Sequence, residues 1–303
     1  MCYGPSILLT AKCLTFLNYS SIILSMNQLP QAKRVQVVKA LVEGNSLRAT
    51  ARMTGVARNT VSSLLVDLAA ACSEYQNETL RGLTCRRVEA DEIWAFCYAK
   101  EANVPEEHKG EFGYGDIWTW VAMDADTKLV LSWLVGERDT PTAIEFMMDV
   151  RDRIANRTQL TTDGLVCYLT AVEEAFGADV DYAQLVTVYG ANPASERRYS
   201  PARFITAQKR SINGSPDGEK VSTSHIERQN LTMRMGMRRF TRLTNAFSKK
   251  AANLEAAVSL HYMYYNFARG HKTLANPYPR TPAMAAGVAD HIWSVEEIVG
   301  LLG

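Results

Sequence analysis

Three carboxylates stand where an acid needs a reason. Asp91 falls in the middle of residues 88–98, VEADEIWAFCY, a run rich in aromatic and β-forming residues. A charge on such a half-buried pleat is costly unless it is paired or binds a metal. Asp163 closes a short extended run, and Gly164 after it allows a tight turn; strand ends of this kind are a usual home for functional groups in α/β sheets. Glu227 is the lone acid of residues 221–242, VSTSHIERQNLTMRMGMRRFTR, a stretch that reads as a strongly basic helix with Ser222 or Ser224 as its cap. Three carboxylates in one site repel and raise one another's pKa values, which divalent cations relieve; hard oxygen ligands select Mg²⁺ (or Mn²⁺). Two such ions about 4 Å apart activate an attacking oxygen and stabilise the leaving oxygen of a phosphodiester. Any one of these acids taken alone has a structural explanation. The set of three carries the inference.

The surroundings suit phosphate. Between residues 197 and 250 there are thirteen Lys and Arg against three Asp and Glu, although the net charge of the whole chain is +1. Such local asymmetry favours a polyanionic partner. Arg234 follows Glu227 by seven residues, about 20° short of two helical turns, so the two share a face roughly 10 Å apart along the axis. His225, Arg228, Asn230 and Arg238 add further groups suited to DNA, His225 touching a phosphate or capping the helix. Glu92, next to Asp91, alternates to the opposite face of the strand and is read as outside the site. Asp124 and Asp126 flank a turn and are read as turn-formers. Trp94, Trp118, Trp120 and Trp133 are read as core.

These residues need elements to position them. Residues 31–75 contain three short amphipathic helices: one ended by Gly44, a second capped by Ser46 and closed by Gly55, and a third opening at residue 57. A short helix, a Gly-containing turn and a second helix make a helix-turn-helix pattern. Arg58, Asn59, Thr60, Ser62 and Ser63 at the start of the third helix suit base edges and phosphates. From residue 88 the pattern becomes extended: three strands in a meander, a helix opened by Asp139 or Thr140 with Pro141, a strand to residue 162, a helix over 165–176, and a strand over 183–188. This order gives an α/β unit with a mixed sheet flanked by helices. Residues 192–220 read as irregular and mobile, 251–268 as helical, and Pro277, Pro279 and Pro282 as precluding a regular helix in the tail.

The expected domains are therefore 26–75 (helix-turn-helix, DNA-binding), 76–87 (linker), 88–270 (catalytic) and 271–303 (C-terminal tail). Residues 1–25 are apolar, interrupted by Lys12 and Asn18, and lack the order of a signal peptide. Met26 opens a polar start, so 1–25 are read as a disordered or non-native extension. Six scattered cysteines form no Cys-x-x-Cys pair, which argues against a zinc ribbon or disulfide framework and suits a reducing, cytoplasmic setting. No run reaches the ~18 apolar residues of a membrane span.

The motifs Asp91-Glu92-Ile93-Trp94, Thr162-Asp163-Gly164 and His225-Ile226-Glu227-Arg228-Gln229-Asn230, with the continuation LTMRMGMRRFTRLTNAFSKK, resemble those of the Asp-Asp-Glu transposases of the insertion-sequence-one family. The resemblance covers roughly residues 86–269. It implies a ribonuclease-H-like fold and metal-dependent DNA strand cleavage and transfer at the ends of an insertion sequence. Asp91, Asp163 and Glu227 match the catalytic, metal-binding triad, which the resemblance implies holds two Mg²⁺ or Mn²⁺ ions. Arg234 matches the basic residue two turns beyond the glutamate. The implied partners are the terminal inverted repeats, target DNA and further copies of the chain, with no membrane. The cysteine zinc finger that opens many relatives is absent, which leaves end recognition to the helix-turn-helix. Two other readings share parts of this pattern: a transcriptional regulator with a non-catalytic α/β domain, and a ribonuclease-H-like nuclease without strand transfer.

Overall fold

The computed structural model describes residues 29–190, 203–241, 246–274 and 279–303, with residues 31–303 in one compact unit. The expected extension over 1–25 lies outside the described residues.

Three helices open this unit: α1 (Gln31–Val42), α2 (Leu47–Thr54) and α3 (Arg58–Thr79). The punctuation anticipated for α2 is present. The Ser46 hydroxyl accepts a hydrogen bond from the Ala49 N–H, and Gly55 ends the helix in the left-handed region at φ 70°. Gly44, at φ 79°, also permits a close approach, since a Cβ there would lie 2.5 Å from the Gly236 carbonyl oxygen. Helix α3 runs through the first part of the expected linker to Thr79, burying Leu64, Leu65, Leu68 and Cys72.

Six strands follow in one mixed sheet: β1 (Arg87–Cys97), β2 (Gly115–Asp124), β3 (Val130–Gly136), β4 (Gln159–Asp163), β5 (Asp181–Gly190) and β6 (Arg203–Asn213). Their order across the sheet is β3-β2-β1-β4-β5-β6. The first three form the antiparallel meander, β4 lies parallel to β1, and β5 is parallel to β4. Asp124 makes the β2–β3 turn by accepting from the Asp126 and Thr127 amides.

Helices cover both faces. On one, α4 (Thr140–Arg153) and α5 (Cys167–Phe176) bury Trp120, Phe146 and Tyr168, with the Trp120 and Tyr168 rings edge to face at 5.3 Å. Asp139 caps α4 through the Thr142 amide. On the other, α6 (Ser224–Gly236) and α7 (Ala251–Met263) pack Ile226, Met233, Leu254, Val258 and Tyr262 against Ile93, Ala95, Ile117 and Val121. A π-helical turn, Tyr264–Ala268, prolongs α7 and carries buried Asn266, whose side-chain amide pairs with both the N–H and the carbonyl of Val130 on β3.

Three expectations change. Residues 203–213, expected to be irregular, form β6, paired antiparallel with β5. Residues 205–212 of this strand are exposed to varying but substantial extents, so they lack the buried alternation that marks a strand in sequence. The basic helix stops at Gly236, where Met237 adopts an extended conformation, so Arg238 and Arg239 sit in a following 3-10 turn. Arg242 lies outside the described residues. In the tail, Pro282 opens the short helix α8 (Pro282–Ala285), where a missing N–H costs nothing, and α9 (Val295–Gly300) follows with a Ser294–Glu297 capping box.

A candidate acidic metal site

Strand β1 lies at the middle of the sheet, antiparallel to β2 on one side and parallel to β4 on the other. Its odd-numbered residues face α6. Glu89 accepts from the His225 and Ile226 backbone amides at 2.8 and 3.0 Å, and Asp91 accepts from the Asn230 side-chain amide at 2.8 Å. The β1–β4 pairing runs to Ala90 opposite Thr162, which sets Asp163 beside Asp91. Asp163 thus stands at the carboxyl end of β4, and Asp91 beside it in the middle of β1, next to the point where the sheet changes sense.

Oxygens of Asp91, Glu92 and Asp163 lie within 4.8 Å of one another. The inclusion of Glu92 departs from the alternation argument. Because β4 ends at Asp163, the β4-facing edge of β1 is open at this level, and side chains from both faces of β1 meet there. Glu92 is almost wholly buried, and both its oxygens are engaged: Oε1 accepts from Arg138 Nε and Nη2 at 2.8 and 2.6 Å, and Oε2 accepts from the Tyr168 hydroxyl at 3.2 Å. The sequence signal for Arg138 was weak, since a lone Arg after a strand is usually surface.

Charge crowding shows in the acid strengths. Burial, followed by the charges of Glu92 and Asp163, pushes Asp91 up to about 8. Burial and the Asp163 charge raise Glu92, against the pull of Arg138. Burial raises Asp163, while the Leu165 amide, donating to Oδ1 at 2.9 Å, and Arg138 hold it down. Carboxylates that resist ionising together are hard donors for a divalent cation, and Asp91 with Asp163 fits one.

Glu227 lies outside the 4.8 Å group. It is exposed on the first turn of α6, its Oε1 accepting from the Thr223 hydroxyl at 2.7 Å, and its charge is among those that raise Asp163. Arg234 is half-buried in the last turn of the same helix. The His225 ring is held by Glu89 Oε1 at 2.8 Å, and Asn230 is 6% exposed, turned inward to Asp91. Arg228 and Arg238 are exposed. At the start of α3, Arg58, Asn59, Thr60 and Ser63 are exposed and Ser62 is half-buried. Of the tryptophans, Trp120 is fully buried, whereas half-buried Trp118 carries the Arg138 guanidinium over its ring at 4.6 Å.

No helix among the described residues is long and apolar enough to cross a membrane. No family model matches the chain, and no curated protein does. Among solved structures, the chain is similar to a piggyBac transposase synaptic complex with hairpin DNA, at 11% identity and a TM-score of 0.37, covering 90% of this chain and 69% of that one. It is also similar to the Mos1 strand transfer complex, at 11% identity and a TM-score of 0.20, covering 80% of this chain and 78% of that one. Likenesses this distant carry no argument by themselves.

Proposed function

We propose that this chain is a DNA transposase of the Asp-Asp-Glu type, cutting and joining strands at the ends of an insertion sequence. The observation that carries the reading is the meeting of Asp91 and Asp163, far apart in sequence, within one carboxylate cluster at the open end of β4. The motif resemblance supplies the reaction class, and the basic stretch over 197–250 supplies a reason for DNA to approach. In this reading the sheet is ribonuclease-H-like, Asp91 and Asp163 would hold one Mg²⁺ or Mn²⁺, and Glu227, outside their 4.8 Å group, would contribute to a second. Ions held there would supply an activated oxygen nucleophile and charge stabilisation for the leaving oxygen.

The chain's own groups orient that site. Asn230 fixes the carboxylate of Asp91, the Leu165 amide fixes that of Asp163, and Thr223 holds Glu227. Arg228 and Arg238 neutralise strand phosphates, while Arg58, Asn59, Thr60, Ser62 and Ser63 at the start of α3 read the terminal repeats as part of a helix-turn-helix. Work on two ends at once calls for a homo-oligomer.

The decisive comparison is Asp163→Ala against wild type on a duplex carrying the element's end. The variant is expected to bind DNA normally and to lose cleavage by at least 10³-fold, an order-of-magnitude figure for a metal-binding carboxylate. Cleavage surviving in the variant would overturn the reading. A transcriptional regulator would have no use for clustered carboxylates and is disfavoured by them. A nuclease without strand transfer shares the site, and an assay with pre-cut 3′-hydroxyl ends separates the two.

A further inference from the structure

Arg138 lies between β3 and α4, one residue before the Asp139 cap. Its side chain is 40% exposed, while that of its partner Glu92 is 2% exposed. Two of its nitrogens converge on a single Glu92 oxygen, and its flat face lies over Trp118. Glu92 is itself anchored from beneath by Tyr168, which is fully buried. The guanidinium is therefore fixed on one side by a buried carboxylate and on a second by a ring, with its remaining surface toward solvent. It stands one hydrogen bond away from a member of the acidic cluster. A counter-ion needed only to neutralise Glu92 could be wholly buried with it. A planar donor fork left partly open beside carboxylates suits bidentate recognition of a phosphate.

We infer that Arg138 is a phosphate-binding residue of this site, gripping the DNA strand at or next to the linkage to be cut, with Glu92 and Trp118 as its positioning residues. This assignment rests on the transposase reading. It also gives Glu92 a role other than metal ligand, because both its oxygens are already committed.

Arg138→Ala alone would leave a buried carboxylate without its partner and risks misfolding. The test therefore uses the double variant Arg138→Met with Glu92→Gln, which keeps the pocket neutral, beside Arg138→Lys. Wild-type cleavage of a duplex carrying the inverted repeat that flanks the coding region is measured first, with Mg²⁺. Failure to cut would overturn the transposase reading and this assignment with it. Where wild type cuts, binding is measured with single neutral methylphosphonate linkages at the cleaved position and at each neighbour. The expected result is that one such linkage weakens wild-type binding by about 10- to 100-fold and leaves the double variant's affinity unchanged, with Arg138→Lys between them. Equal losses in wild type and double variant at every linkage would overturn the role of Arg138 and leave the transposase reading standing.

Discussion

At the scale of single residues, Asp91 holds the most chemistry. Its carboxyl titrates near 8 in the folded chain against 3.8 ordinarily, so between those values the folded state holds a proton that the unfolded state has lost. The sign follows directly: without a divalent cation, stability falls as pH rises from about 4 to about 8, and above 8 the ionised Asp91 is a full cost. Asp91→Asn is therefore expected to melt higher than wild type at pH 8.5 in chelator, by about 2–4 °C for each kcal/mol relieved. Adding Mg²⁺ should raise the wild-type melting temperature and move the variant little. Calorimetry with and without Mg²⁺ checks both, and a variant that melts lower in chelator would contradict the crowding argument. Asp91 and Asp163 were legible because a charge in an apolar strand, and another at a strand end, both need explaining. Glu92 was not, since alternation describes an infinite strand and says nothing of where its neighbour stops.

At the scale of elements, α6 depends on a residue from another element. Thr223 occupies the cap position without a side-chain cap bond, and its hydroxyl is turned to Glu227 instead. The Ser224 amide donates to the Ser222 hydroxyl, and the next two, of His225 and Ile226, to Glu89, buried on β1 at 4% exposure. A carboxylate there also complements the positive end of the helix. Glu89→Ala is expected to cost about 3 kcal/mol in chemical denaturation, from two orphaned amides and a lost charge–dipole interaction. Because Asn230 is on the same helix, divalent-ion affinity should weaken in step; an unchanged midpoint would show that the amides find water. The helix itself was readable from sequence, but its cap was not: the expected Ser222 or Ser224 gives way to Thr223, which makes no cap bond, and the Ser222 hydroxyl takes only the Ser224 amide. Its end at Gly236 was not, because the basic residues beyond it continue the same composition. Strand β6 was missed for a related reason, as exposure along its length removes the period-two signal.

At the scale of the whole molecule, the first three helices share their packing with the rest. Ser259 on α7 donates to the Ala69 carbonyl at 2.7 Å and meets Ser73 at 3.2 Å. Arg153, 5% exposed at the end of α4, donates to the Asn77 side chain at 2.6 Å and to the Leu80 carbonyl at 3.4 Å while pairing with Asp149 at 2.6 Å. Denaturation followed by tryptophan fluorescence and by far-UV circular dichroism should therefore give one coincident transition for residues 31–303. Arg153→Met is expected to lower stability by about 2–4 kcal/mol, since Asp149 retains some solvent, and to expose residues near 80 to proteases. Two separated transitions in wild type would mean that the helical region folds on its own. Nothing in the sequence announces this joint, because its members are single polar residues more than seventy positions apart.

The Asn266 amide against Val130 has a consequence for how copies of this chain meet. A sheet edge is a row of open valences, and here one end of the β3 edge is stoppered by a side chain that imitates the backbone of an absent strand. At the other border, β6 carries Lys209 and Arg210, exposed, as a deterrent to like strands. The two borders thus meet a neighbour's strand differently: at one, a side chain occupies the backbone groups of Val130, and at the other, a basic pair would repel a second basic strand.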